Sequence, residues 1–181
     1  MALAYPDPDL ADGVVRLRRW REDDLGCVRE AATDPGIPEG TTVPATFTPA
    51  AGLAFVHRQW GRVEHDEGIS LAVAERASDA ARGLVTVLLR PQAGVAGIGY
   101  WIVPRARRRG LATSAVRLLS TWALADGGLA RVEAWAEPAN AASLAVLEQA
   151  GFEREGVLRS FLSFPGRRAD AVVLARVRDP G

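Results

Sequence analysis

Arg105, Arg107, Arg108 and Arg109 crowd into five positions, and the chain then passes through Gly110 into Leu111-Ala112-Thr113. Guanidinium groups bind phosphate oxygens two at a time. A glycine followed by small residues where a helix opens lets those oxygens reach amides that have no partner within the helix. The chemistry that suits this stretch is the holding of a polyphosphate. A run of charge at a loop can equally be a solvated surface, and these residues alone leave both readings open. A Walker loop is excluded because no Lys-Ser/Thr follows the glycine, and the dinucleotide fingerprint because Gly-x-Gly-x-x-Gly is missing.

Further on, Asn140 and Ser143 stand three apart ahead of an apolar run. By itself Ser143 reads as an ordinary first-turn serine bonded to local backbone. Glu133 and Glu137 precede it as candidate general bases, although strand alternation can also turn them toward solvent or an arginine. His57, on a predicted helix, and His65, in a polar turn, are weaker candidates for the same role.

The rest of the composition narrows the chemistry. The 22 basic residues balance 22 acidic ones, so neither nucleic acid nor a membrane surface is an expected partner. Every basic residue is arginine, which excludes a Schiff-base lysine and a lysine base. His57, His65 and Cys27 are the only strong nitrogen or sulfur ligands, so no metal is expected. One cysteine allows no internal disulfide, and Cys27 reads as a small buried hydrophobe. The start MALAYPDPDLADG has neither a basic nor an apolar leader segment, which predicts a cytoplasmic protein. Its 181 residues suit one domain over positions 1–181.

The elements that must position these residues follow from periodicity and capping. Residues 14–20 alternate as a strand, and REDDLGCVREAA puts acidic residues into the first turn of a helix. Residues 33–50 read as an irregular connection rich in Pro, Gly and Thr. Thr48 caps a helix reaching about Glu64, with Leu53, Val56, Trp60 and Val63 inward. Three strand-like runs at 70–75, 83–89 and 95–103 make a meander. After the arginines a 3.6-residue period sets in, with Leu111, Ala115, Leu118, Leu119 and Trp122 inward, ending at Asp126-Gly127-Gly128. A strand at 131–137, a helix capped by Asn140 and stopped by Gly151, and strands at 156–164 and 171–177 complete the chain.

Arg107-Arg108-Arg109-Gly110-Leu111-Ala112 resembles the acyl-CoA pyrophosphate motif of the GNAT N-acetyltransferase superfamily, Gln/Arg-x-x-Gly-x-Gly/Ala, which also stands between a strand and a long helix. GYWIVP before it, TSAV after it, NAASLAVLEQAGF from Asn140 and RLRRWREDD near the start are similar to the RimJ/RimL-type subgroup. The resemblance spans nearly the whole chain, least clearly residues 33–66. It implies an α/β (α+β) GNAT fold, a mostly antiparallel, centrally splayed sheet of about seven strands flanked by about four helices.

Residue by residue, the resemblance implies that the backbone of Ile102 and Val103 holds the pantetheine and polarises the thioester carbonyl. Arg107, Arg108, Arg109, Gly110, Leu111, Ala112 and Thr113 would bind the pyrophosphate, Asn140 the pantetheine arm, and Ser143 the region of the sulfur. The chain departs from the pattern at Arg108, where many relatives have Gly, and at Ser114, where the subgroup often has Glu. Many members carry an acid tyrosine four residues before the Gly of Gly-Phe, where this chain has Leu147.

The implied reaction moves an acetyl group from acetyl-CoA to a primary amine with no covalent enzyme intermediate, and homodimers are common in the subgroup. At pH 7 an α-amine of pKa near 7.8 is roughly one-seventh neutral, whereas a lysine amine is neutral in about one molecule in 2,500. A site without an evident base therefore suits a protein or peptide N-terminal α-amine. A small amine such as a polyamine or aminoglycoside, and a silent acyl-CoA-binding module, remain the alternatives.

Overall fold

A computed structural model describes residues 2–178. Its strands are β1 (Leu10–Ala11), β2 (Val15–Arg18), β3 (Gly68–Glu75), β4 (Ala81–Leu89), β5 (Val95–Ile102), β6 (Arg131–Ala136), β7 (Glu153–Phe164) and β8 (Arg167–Val177). Its α-helices are α1 (Leu25–Ala31), α2 (Gly36–Gly40), α3 (Pro49–Glu64), α4 (Leu111–Leu124) and α5 (Ala141–Gln149). All eight strands form one sheet in the order β1-β2-β3-β4-β5-β6-β8-β7. Every pairing is antiparallel except β5 with β6, where α4 makes the crossover that a parallel pair requires.

The strand and helix beyond the expected count are both short. β1 is two residues pairing with β2, and α2 lies inside the connection that the sequence reads as irregular. Asp34 Oδ1 accepts from Gly36 N at 2.9 Å at the start of α2, and Ile37 is buried. One buried side chain makes too little periodicity to find the helix from sequence. The acidic stretch before α1 also serves a different end. Asp24 is buried and takes a bidentate pair of hydrogen bonds, 2.9 and 2.8 Å, from the buried Arg18.

Thr48 caps α3 as predicted, its Oγ1 accepting from Ala51 N at 3.1 Å with Pro49 next in the chain. Thr48→Ala is expected to cost about 1 kcal/mol, read as a lowered urea midpoint at constant m-value. The face that α3 buries is Gly52, Phe55, Val56 and Gln59, rotated from the expected stripe so that Trp60 and Val63 pack only in part. A polar Gln59 can lie there because its amide is satisfied. Nε2 donates to Phe55 O at 3.0 Å, and Oε1 accepts from Ser70 Oγ at 2.9 Å. β3 is buried from Gly68 to Ala74, which requires cover on both faces of the sheet, and both α3 and α4 pack on it. Among the described residues no helix is long and apolar enough to cross a membrane.

Candidate functional site

The sheet opens in its middle. β5 pairs with β6 only where Val95–Gly97 meet Arg131–Glu133. β5 nevertheless stays on β4 as far as Ile102, and β6 stays on β8 as far as Ala136. Beyond Gly97 the two strands part, and one edge of β5 faces a gap. Val103 N donates to Arg82 O at 2.8 Å, on the β4 side. Backbone direction alternates along a strand, so the amides of Tyr100 and Ile102 turn into the gap. Val103, expected beside Ile102, has its amide engaged by Arg82 and its carbonyl accepting from Ala106 N, so of that pair only Ile102 presents its amide to the gap.

A cleft of about 840 Å³ runs from this gap to the start of α4. Gly110 precedes that helix with φ +75°, a left-handed conformation that disfavours any side chain. A Cβ added there would meet nothing within 4 Å, so the space over the glycine is open to a ligand. The first intrahelical bond is Ser114 N to Gly110 O, which leaves the amides of Leu111, Ala112 and Thr113 without helical partners. All three residues, with Ile102 and Gly110, line the cleft. The positive end of the helix dipole adds to their preference for an anion.

The arginines divide. Arg105 pairs with Glu30 at 2.5 Å, and Arg107 with Asp34 at 2.5 Å. Arg107 Nε also donates to Ile102 O at 3.0 Å, which ties the loop to the end of β5. Arg109 is bound to Glu75 and does not line the cleft. Hydrogen bonds from Arg109, Ser78 and Arg82 hold the Glu75 carboxyl below its usual range. Arg108, at φ +59°, is exposed, lines the cleft and makes no ion pair among the described residues. Most of the charge run thus fastens the loop to the fold.

At the other end, Asn140 Oδ1 accepts from Ser143 N at 3.0 Å and caps α5, and both side chains line the cleft. Ser143 Oγ lies 2.7 Å from the Tyr100 hydroxyl, which also donates to the Ser143 carbonyl at 3.1 Å. Burial pushes the Tyr100 phenol up to about 12 despite the hydrogen bond to Ser143, which acts in the opposite direction, so it stays a donor at neutral pH. A second cleft of about 350 Å³ lies beyond, and Tyr100, Trp101 and Ser143 line both. The hydroxyl pair stands where the two clefts meet. Leu147, 1% exposed, lines the second cleft without polar chemistry of its own.

Tyr100 is not marked by the sequence pattern because the resemblance points to the backbone of this strand and not to a phenol. The signal was there: one of only two tyrosines, in the strand entering the motif, in a chain with leucine at position 147.

The candidate bases lie away from this junction. Glu133 pairs with Arg90 at 3.3 Å and Arg131 at 3.4 Å, and it lines neither cleft. Both contacts engage the carboxylate that the sequence offers as a candidate base. Glu137 accepts from Arg167 at 2.7 and 3.0 Å, which holds its carboxyl below the usual range. His57, half exposed, meets Glu22 at 2.8 Å, and His65 bonds Gly61 O at 2.7 Å. Burial pushes the Cys27 thiol up, as suits the small hydrophobe expected there.

The family model described as Acetyltransferase (GNAT) domain matches residues 15–153. The chain is 34% identical over 116 residues to the "Probable N-acetyltransferase YjcK" of Bacillus subtilis (strain 168), covering 63% of this chain and 64% of that protein. The chain thus spans just under two-thirds of that relative's length. Among solved structures it is similar to Mycobacterium smegmatis RimJ in complex with CoA-disulfide, with TM-score 0.82 and 23% identity over 98% of this chain and 93% of that one. It is also similar to the ribosomal-protein-S5-alanine acetyltransferase of Vibrio fischeri, with TM-score 0.78 and 18% identity over 95% and 97%. At such identities the likeness shows the fold.

Proposed function

Because the chain belongs to the GNAT acetyltransferase family, we propose that it moves an acetyl group from acetyl-CoA to a primary amine, with a protein or peptide N-terminal α-amine as acceptor. The observation that carries this reading is the meeting of two clefts at Tyr100 and Ser143, one of them ending at the open amides of α4. The larger cleft suits CoA, its pyrophosphate on the amides of Leu111 to Thr113 beside Arg108 and its arm passing Asn140 toward the hydroxyl pair. The smaller cleft suits the acceptor. The RimJ structure in complex with CoA-disulfide and the ribosomal-protein-S5-alanine acetyltransferase lend support, by likeness of fold, to the donor and to a protein acceptor respectively.

In this reading the amine nitrogen attacks the thioester carbonyl carbon. The developing oxyanion meets backbone amides on the free edge of β5, fixed in advance by the pairing with β4. Collapse breaks the carbon–sulfur bond, and CoA leaves as a thiolate that takes its proton from the hydroxyl pair or from water. The nitrogen sheds its own proton to water. With Glu133 and Glu137 engaged by arginines, no carboxylate is assigned as base, and an acceptor already partly neutral at pH 7 is favoured.

The test is CoA thiol release from acetyl-CoA against N-terminal peptides, polyamines and aminoglycosides, with isothermal titration of acetyl-CoA alongside. Release with peptides is the expected result. Binding without release to any acceptor would favour a silent acyl-CoA-binding module, and no binding would overturn the reading.

A further inference from the structure

We infer that the second cleft selects amines bearing a carboxylate close to the reacting nitrogen, and that Arg90 is the residue that reads it. The inference rests on the acetyl-transfer reading and adds the acceptor's chemical class. Arg90 follows directly on β4, and its guanidinium lies 4.1 Å from the centre of the Trp135 ring on β6. It also rests on β5 at Gly97, where a Cβ would come within 2.4 Å of Nη2, so a side chain at 97 would displace the guanidinium. Arg90 therefore lies across the root of the split, in the wall of the cleft that reaches Tyr100 and Ser143.

Its hydrogen-bonding capacity is barely used. Arg90 Nε is buried without a hydrogen-bond partner, and Glu133 Oε1, at 3.3 Å, lacks the alignment of one. Arg62 also lines this cleft and donates to Glu67 at 2.7 Å. The neighbouring polar side chains are already engaged, Gln59 with Phe55 and Ser70, and Thr86 with Ile69. Among the described residues no Asp or Glu lines the cleft. Each guanidinium has a carboxylate behind it, Glu133 for Arg90 and Glu67 for Arg62, so the preference rests on free donors in the wall and not on net charge: a planar fork held flat by an aromatic ring matches a carboxylate.

The test compares acceptors that differ in one group, with acetyl-CoA as donor: peptides beginning Ser-Glu, Ser-Gln and Ser-Lys, and a free α-amino acid beside its amide. The peptide arm reads a side-chain carboxylate and the amino-acid arm an α-carboxylate. In whichever arm fits the cleft, kcat/KM is expected to be about tenfold or more higher for the carboxylate than for its amide, the scale of a charge-assisted hydrogen bond, with Ser-Lys and spermidine lowest. Arg90→Gln is expected to bring that ratio near one through KM, and Arg90→Lys to keep part of it.

Thermal shift of the CoA-loaded protein with the same acceptors gives a readout independent of turnover. Turnover with no carboxylate preference in either arm overturns the inference and leaves acetyl transfer standing. Carboxylate-selective binding without turnover supports the Arg90 site and overturns acetyl transfer. Neither binding nor turnover overturns both.

Discussion

Gly110→Trp is expected to abolish measurable acetyl-CoA binding, raising Kd at least about 100-fold, or roughly 2.7 kcal/mol, while the chain stays folded. Two features argue for an effect on the ligand far larger than on the protein. The space over Gly110 is open, with no atom of the fold within 4 Å of an added Cβ, so an indole there meets the phosphates' place before it meets the core. The fold pays only for the left-handed backbone at φ +75°, about 1–2 kcal/mol for a residue with a side chain. In a chain of this size that lowers Tm by roughly 2–8 °C. Isothermal titration and a thermal melt on the same preparation separate the two effects. Unaltered affinity in a folded Gly110→Trp protein would remove the α4 start as the phosphate site.

Tyr100→Phe and Ser143→Ala are each expected to lower kcat by about 10- to 100-fold, with little further loss in the double variant. General acids contribute about 10²–10⁴-fold, but a thiolate whose thiol has a pKa near 8.5 leaves without full protonation, which sets the lower range. Non-additivity follows from the 2.7 Å hydrogen bond that joins the two hydroxyls, since removing either disturbs the same donor. Single-turnover rates on saturated enzyme, with KM measured beside kcat, distinguish loss of this donor from loss of binding.

The pH behaviour has a definite sign. The Tyr100 phenol titrates at about 12 in the folded protein against an ordinary value near 10. The donor therefore survives up to pH 10, and the rate rises as the acceptor α-amine deprotonates, then levels off above about pH 9. In the unfolded chain the phenol ionises first, so stability held by the neutral buried phenol is complete below about pH 10 and is lost as pH rises toward 12. Tyr100→Phe removes that alkaline loss. A wild-type rate that falls between pH 8 and 10 would contradict the assignment of Tyr100 as donor.

The order of elements was legible in the sequence because each rests on local physics. Thr48 and Asn140 cap helices because a side-chain oxygen reaches an amide three residues on, Ala51 in one case and Ser143 in the other. The rotation of the α3 face was not legible. A period count scores Gln59 as polar and therefore outward, whereas the fold buries it by supplying Ser70 from β3. The two-residue β1 and five-residue α2 are held by what they pack or pair with, and segments that short carry no periodic signal of their own.

The same division runs through the site. By itself the sequence pointed to a strand leading into the arginines, a glycine allowing close approach and open amides where the next helix begins, because strand, turn and helix start are contiguous and are governed by rules that act over a few residues. Only the tertiary structure decided which charges and hydroxyls face the clefts. Arg107 and Arg109 are claimed by Asp34 and Glu75, and Tyr100 finds Ser143 across 43 positions of chain. Arg90 is set between Gly97 and Trp135 by the parting of β5 from β6. A backbone amide at a helix start is free by geometry alone, but the fate of a side chain depends on which distant residue the fold brings within hydrogen-bonding range of it.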